Sequence, residues 1–206
     1  MTSSRSYAEF YLPESEPVVA ARSRAAELGC VPIGAGGGAL LRFVAASIRA
    51  RAVVEIGTGA GVSGLYLLGG MPDGILTSID IEAENQRAAK TAFGEAGIPP
   101  VRTRLINGRA LDVLPRLTDG AYDLVFVDAA KEEYPEYLAE ALRLLRVGGV
   151  LAMDNALFHD KVADPTQRDA ATVAIREAGR ILRDNEDVVP ALVPASDGLL
   201  LAVKIR

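Results

Sequence analysis

The 206-residue chain has a single cysteine and a single histidine. Cys30 alone excludes an intrachain disulfide and any zinc or iron–sulfur site built from several thiolates, and it reads as a small buried residue. With His159 as the sole imidazole, a histidine-rich zinc site is impossible and Ser/His/Asp hydrolysis would hang on one residue; beside Asp160 and Lys161 that histidine reads as solvated. The charge is also weak in one sign: 22 Lys+Arg stand against 27 Asp+Glu, a net −5 with no basic block. No nucleic-acid partner is therefore expected. Nowhere do about 18 apolar residues follow one another, and Arg5, Glu9, Glu14, Glu16, Arg22 and Arg24 interrupt any signal-like apolar core. No membrane span and a cytoplasmic location are expected.

What is present is half hydrophobic and 24% charged, with a mean hydropathy of +0.20. This composition suits one compact domain over 1–206. Short apolar, β-branched runs at 52–56, 75–79, 101–106, 122–127 and 149–153 alternate with helical stretches such as 82–96 and 134–145. Alternation of this kind predicts a parallel sheet wrapped by helices. A helix over 166–182 then precedes runs at 188–193 and 199–205, joined by Pro194-Ala195-Ser196-Asp197-Gly198, which predict a terminal antiparallel hairpin. Nearer the N-terminus a helix is expected over 15–28. The glycine-rich 32–38 reads as a flexible loop on the substrate side, before a helix over 39–50.

The first run closes in Glu55-Ile56-Gly57-Thr58-Gly59-Ala60-Gly61-Val62-Ser63, a strand, a glycine turn and the start of a helix. Such a turn lets backbone approach a ligand at a helix N-terminus. Val62 stands where the dinucleotide fingerprint G-x-G-x-x-G needs glycine, and Glu55 is foreign to it, so a dehydrogenase is disfavoured. The segment resembles the first motif of Rossmann-like, class I S-adenosylmethionine-dependent methyltransferases. Asp80 closes the next strand, where a carboxylate can accept both hydroxyls of a ribose. Asn107-Gly108-Arg109-Ala110 then resembles the adenine-side turn of that family. Glu55, Gly57, Thr58, Gly59, Ser63, Asp80, Gly108, Arg109, Ala110 and Asp128 are accordingly the expected cofactor residues. Singly, the glycines read as a tight turn and Asp80 as a helix N-cap; it is their order at successive strand ends that points to a cofactor.

Two further strands end in Asp128, with Lys131 three residues on, and in Asp154-Asn155. Adjacent strands lie about 4.8 Å apart, so these oxygens can converge. Two carboxylates and an amide favour Mg²⁺, Ca²⁺ or Mn²⁺ over zinc. Val127-Asp128-Ala129-Ala130-Lys131 with Asp154-Asn155 resembles the cation-dependent O-methyltransferases typified by the catechol and caffeoyl-CoA enzymes. That resemblance covers about 39–206. It implies a seven-stranded, mostly parallel sheet with helices on both faces, metal ligands Asp128, Asp154 and Asn155, Lys131 as the base with Asp128 as a catalytic partner, and a homodimer. It also implies a catechol-like small aromatic hydroxyl as acceptor, and Mg²⁺ as the first choice of cation. A phenol gives up its proton reluctantly near neutral pH, and a divalent cation stabilises the phenolate. To take that proton Lys131 must be neutral, a form favoured by burial or by an adjacent cation.

The resemblance departs at the final hairpin, where Leu200 occupies the place of an acid in animal catechol enzymes. Asp197 is the nearest acid and is not expected to replace it. Tyr7, Phe10 and Tyr11 read as packing, or as residues reaching a partner's pocket. Competing functions are a nucleic-acid or protein N-methyltransferase, which would want an Asn/Asp-Pro-Pro-Tyr-like segment where Asp128-Ala129-Ala130-Lys131 stands, and a non-catalytic S-adenosylmethionine-binding module, which would have no use for Lys131.

Overall fold

The computed structural model describes residues 3–206. Seven strands form one sheet: β1 (Ala52–Ile56), β2 (Ile75–Asp80), β3 (Thr103–Asn107), β4 (Tyr122–Val127), β5 (Leu145–Met153), β6 (Val188–Val193) and β7 (Leu199–Lys204). Their order is β3-β2-β1-β4-β5-β7-β6. The first five run parallel, whereas β7 is antiparallel to both β5 and β6, as the hairpin signal predicted.

Alternate strand residues feed two cores. Leu124 and Phe126 of β4 point to one face, with α3 (Ala35–Ser47), α4 (Val62–Gly70) and α5 (Ala83–Glu95). Val125 and Val127 point to the other, with α6 (Ala110–Val113), α7 (Tyr134–Leu144) and α8 (Ala170–Asp184). Burial on both faces is why these strands read as continuous apolar runs. The chain winds outward from β1 in both directions, so the carboxyl ends of β1 and β4 flank the crevice where such sheets take ligands.

One expectation is overturned. Gly36-Gly37-Gly38 lie inside α3, not in a flexible loop. Each glycine costs a free helix about 1 kcal/mol, but here the missing side chains permit close packing. A Cβ on Gly38 would fall 2.3 Å from the Tyr66 ring, and one on Gly37 2.8 Å from both Ile33 and Ser196. The helix also begins with a satisfied donor, since Gly36 N–H donates to Glu9 Oε1 at 3.0 Å. Glu9 belongs to α1 (Ser4–Glu9), a short helix the sequence did not signal, N-capped by Ser3. The expected helix at 15–28 is α2 (Glu16–Glu27).

Other boundaries shift modestly. Pro100-Val101-Arg102 make a single 3-10 turn ahead of β3, and β5 extends back to Leu145. The helix expected from 166 begins at Ala170, where Asp169 caps the Thr172 N–H at 3.1 Å. Among the described residues, no helix is long and apolar enough to cross a membrane.

Candidate active site

The glycine turn after β1 is shaped by contacts no side chain would permit. Gly57 has φ +98°, and a Cβ there would lie 2.0 Å from the carbonyl oxygen of Asp128. Its N–H donates to Ile79 O at 2.9 Å, while Asp128 N–H donates to Ile56 O at 2.8 Å. The turn is thus pressed between the ends of β2 and β4, and it opens α4. Above it lies a cavity of about 410 Å³. Gly57, Thr58, Gly59, Ser63, Asp80, Gly108, Arg109, Ala110 and Asp128 all line it. Asp80 organises this wall: Oδ2 accepts from Gly59 N–H at 2.9 Å and Oδ1 from Glu82 N–H at 2.8 Å, with Asn85 Nδ2 donating at 3.2 Å.

Glu55 does not reach the cavity. Its side chain is fully buried beneath the turn, accepting from Ser63 Oγ at 2.6 Å and Ser78 Oγ at 2.5 Å. Ser78 Oγ lies 2.7 Å from Thr58 Oγ1, which accepts from Gln86 Nε2 at 2.8 Å. This chain of donors ends on the Glu55 carboxylate and ties β1, β2, α4 and α5 together under the cavity floor. Burial pushes the Glu55 carboxyl up to about 7, against the opposing pull of the two serines. The expectation that Glu55 contacts a cofactor directly is therefore corrected: it braces the turn from beneath.

Several wall residues had no local signal. Cys30, expected to be buried, is only partly so and lines the cavity, with Sγ donating to Asn85 Oδ1 at 3.4 Å. Glu133 and Tyr137 also line it. Arg109 Nη2 and Tyr137 Oη donate to the two oxygens of Glu133, each at 2.5 Å. These contacts join the turns after β3 and β4 across the cavity. The tyrosine hydrogen bond, followed by the arginine, holds the Glu133 carboxyl below its usual range.

Asp128 closes the cavity on its other side and opens a second cluster. Its Oδ1 accepts from Lys131 Nζ at 2.7 Å, in a pair whose side chains are mostly buried. Nζ also sits 5.1 Å from the Tyr134 ring centroid. Val127 and Met153 are partners in the β4–β5 register, so Asp128 and Asp154 leave adjacent strands side by side. Asp154 is 2% exposed, and among the described residues its Oδ1 has no hydrogen-bond partner. Burial first, and the negative charge of Asp128 second, push its carboxyl well above the ordinary range. A buried carboxylate with an orphaned oxygen beside a second acid is short of positive charge.

A divalent cation would fit that deficit, with Asp128, Asp154 and the amide of Asn155 as oxygen donors. Among the described residues no three His, Cys, Asp or Glu side chains cluster as a metal site, so the set depends on the amide as its third member. Asn155 has φ +56°, a left-handed conformation that asparagine tolerates. Its Nδ2 donates to Asp197 Oδ2 at 3.2 Å, which brings the final hairpin turn to the site. His159 has a 74% exposed side chain, with Nδ1 3.6 Å from Asp197 Oδ2.

Comparison with known proteins identifies the family. The family model described as O-methyltransferase matches residues 3–205. A protein of Mycobacterium tuberculosis named "Probable O-methyltransferase" is 50% identical over 199 residues, covering 96% of this chain and 89% of its own. Among solved structures, a Corynebacterium glutamicum protein superimposes with a TM-score of 0.90 at 36% identity, covering 98% of this chain and 95% of that one. The O-methyltransferase TomG of Streptomyces achromogenes, involved in tomaymycin synthesis and solved with S-adenosylmethionine, gives 0.88 at 32% identity, covering 97% and 94%. The chain belongs to the O-methyltransferase family.

Proposed function

We propose that the protein transfers a methyl group from S-adenosylmethionine to a hydroxyl of a catechol-like small aromatic molecule, with the help of a divalent cation. The observation that carries this reading is the position of Asp128, which lines the glycine-turn cavity with its backbone pressed on Gly57 while its carboxylate pairs with Lys131 beside the orphaned Asp154 oxygen. A cofactor held on one side of Asp128 and an acceptor held on the other would meet there.

Asp80 would accept from the ribose hydroxyls, Gly57 and Gly59 would let backbone approach the amino-acid end, and Gly108 to Ala110 would flank the base. Asp128, Asp154 and Asn155 would hold the cation. When bound, S-adenosylmethionine supplies the methyl group and the cation, Mg²⁺ by preference or Mn²⁺ or Ca²⁺, favours the ionised form of the acceptor oxygen. In its neutral form Lys131 would take the acceptor proton on Nζ, with Asp128 Oδ1 accepting from that nitrogen and holding it in place. Transfer between a sulfonium and an oxygen is an in-line displacement, so the rigid strand ends contribute mainly by alignment. The same proposal includes a homodimer, for which the exposed Tyr7, Phe10 and Tyr11 offer an apolar surface.

Lys131→Met tests the chemical role. Turnover on a catechol should fall roughly 10²- to 10⁴-fold, as for loss of a general base, while affinity for S-adenosylhomocysteine by calorimetry stays within about twofold. Equal loss of cofactor affinity would overturn the assignment.

A further inference from the structure

An asparagine can serve a cation only through its oxygen, and the side chain has two ends of nearly equal shape. At Asn155 the choice is made by a residue 42 positions away. Nδ2 lies 3.2 Å from Asp197 Oδ2, and a carboxylate can only accept, so the end facing Asp197 is the NH₂ group. The oxygen Oδ1 is then the end turned away from Asp197. Without Asp197, the same NH₂ would be drawn to the anions of Asp154 and Asp128, with the nitrogen where a cation needs oxygen.

Asp197 is itself held on every side. Its Oδ1 accepts from His159 N–H at 2.8 Å, and its backbone carbonyl accepts from Leu157 N–H at 2.9 Å. Gly198, at φ +88°, accepts from Ala156 N–H at 2.9 Å. The preceding Ser196 donates its N–H to Glu9 Oε2 at 3.1 Å, and its Oγ accepts from Gly34 N–H at 2.9 Å. The hairpin turn is thus clasped to the chain that follows Asn155 and pinned from behind by the first helix and the start of α3. The side chain of Asp197 is only 18% exposed.

We infer that Asp197 is a positioning residue that presets the Asn155 amide, oxygen toward the cation and nitrogen toward the hairpin. This rests on the metal-site reading above. Partners of this kind, one step removed from the ion, typically change metal affinity about 10- to 100-fold. The geometry also makes an unusual demand on the conservative variant. In Asp197→Asn the His159 N–H still requires an oxygen, so the new NH₂ must face Asn155 and turn that amide the wrong way. The isostere should therefore be as harmful as Asp197→Ala, which a merely space-filling role would not produce.

The test is Mn²⁺ binding, followed by electron paramagnetic resonance of the free ion, on four proteins: wild type, Asp197→Asn, Asn155→Asp and the double variant. S-adenosylhomocysteine affinity and thermal unfolding report on the cofactor side and the fold. Asp197→Asn should weaken Mn²⁺ binding about 10- to 100-fold with cofactor affinity unchanged. That loss should vanish in the Asn155→Asp background, because a carboxylate has no wrong end. Loss of the same size in both backgrounds would mean that Asp197 acts through its charge alone, and affinity within about twofold of wild type would mean that it does not act; either overturns the inference. Wild type that binds S-adenosylhomocysteine but no Mn²⁺ would overturn the metal site itself, and the inference with it.

Discussion

Replacing Glu55 by glutamine should flatten part of the fall in stability with rising pH. The carboxyl is fully buried and raised from 4.5 to about 7, so the folded protein keeps its proton in a range where the unfolded chain has already released it. Below pH 4.5 both states are protonated and the group contributes nothing. As pH rises through the interval from 4.5 to about 7, only the unfolded state ionises, and unfolding becomes easier by about 1.4 kcal/mol per pH unit. Above 7 the loss is complete, at about 3 kcal/mol, a sizeable part of the 5–15 kcal/mol that roughly spans domain stabilities. Glu55→Gln removes the titration, whatever constant penalty follows from turning one serine to accept from the new amide. Asp154 is raised too, but it is present in both proteins and cancels in the comparison. Urea unfolding of wild type and Glu55→Gln at pH 5 and pH 8, at matched ionic strength, isolates the difference. Wild type should lose about 2–3 kcal/mol more than the variant over that interval, with equal m-values. Parallel losses would refute the reasoning, since Glu55 would then not be an acid held protonated by burial.

Gly57→Ala should damage both halves of the site at once: with φ +98° and a new Cβ 2.0 Å from the Asp128 carbonyl, backbone must move. The expected cost is about 3 kcal/mol or more, with both S-adenosylhomocysteine and Mn²⁺ binding weakened; a variant with wild-type melting temperature and cofactor affinity would contradict the packing described. Asp80→Ala removes the acceptor that also braces Gly59. Loss of charged hydrogen bonds of about 1.5–3 kcal/mol predicts cofactor affinity roughly 10- to 100-fold weaker by calorimetry, and unchanged affinity would rule out Asp80 as the ribose acceptor.

The sheet was legible because burial on both faces leaves no polar alternation in β1, β4 or β5, and the places of three acids follow directly from the ends of such runs. Asp80, Asp128 and Asp154 needed only that rule. Glu55 was legible as part of a motif but not in its role, because the burial and the Ser63–Ser78 partnership that decide it come from α4 and β2. The glycine run misled: intrinsic propensity weighs Gly36 to Gly38 against a helix, whereas close packing against Tyr66 and Ser196 decides for one. The contacts of Cys30 and Asp197 were hidden for a related reason. Their neighbours Asn85 and Asn155 lie 55 and 42 residues away in sequence, and no periodicity or spacing encodes contacts of that range. The helix carrying Glu9 is six residues long with none buried, too short and too polar to show an apolar period.

The central claim is that Asp128, Asp154 and Asn155 hold a cation that the methyl transfer needs. Its most direct test is mass-detected transfer from S-adenosylmethionine to a panel of catechols, caffeate derivatives and flavonoids, run in Mg²⁺, in excess chelator, and after Mg²⁺ is returned. The expected result is a methylated catechol that disappears with chelator and returns with the metal. Product formed at full rate in chelator would contradict it.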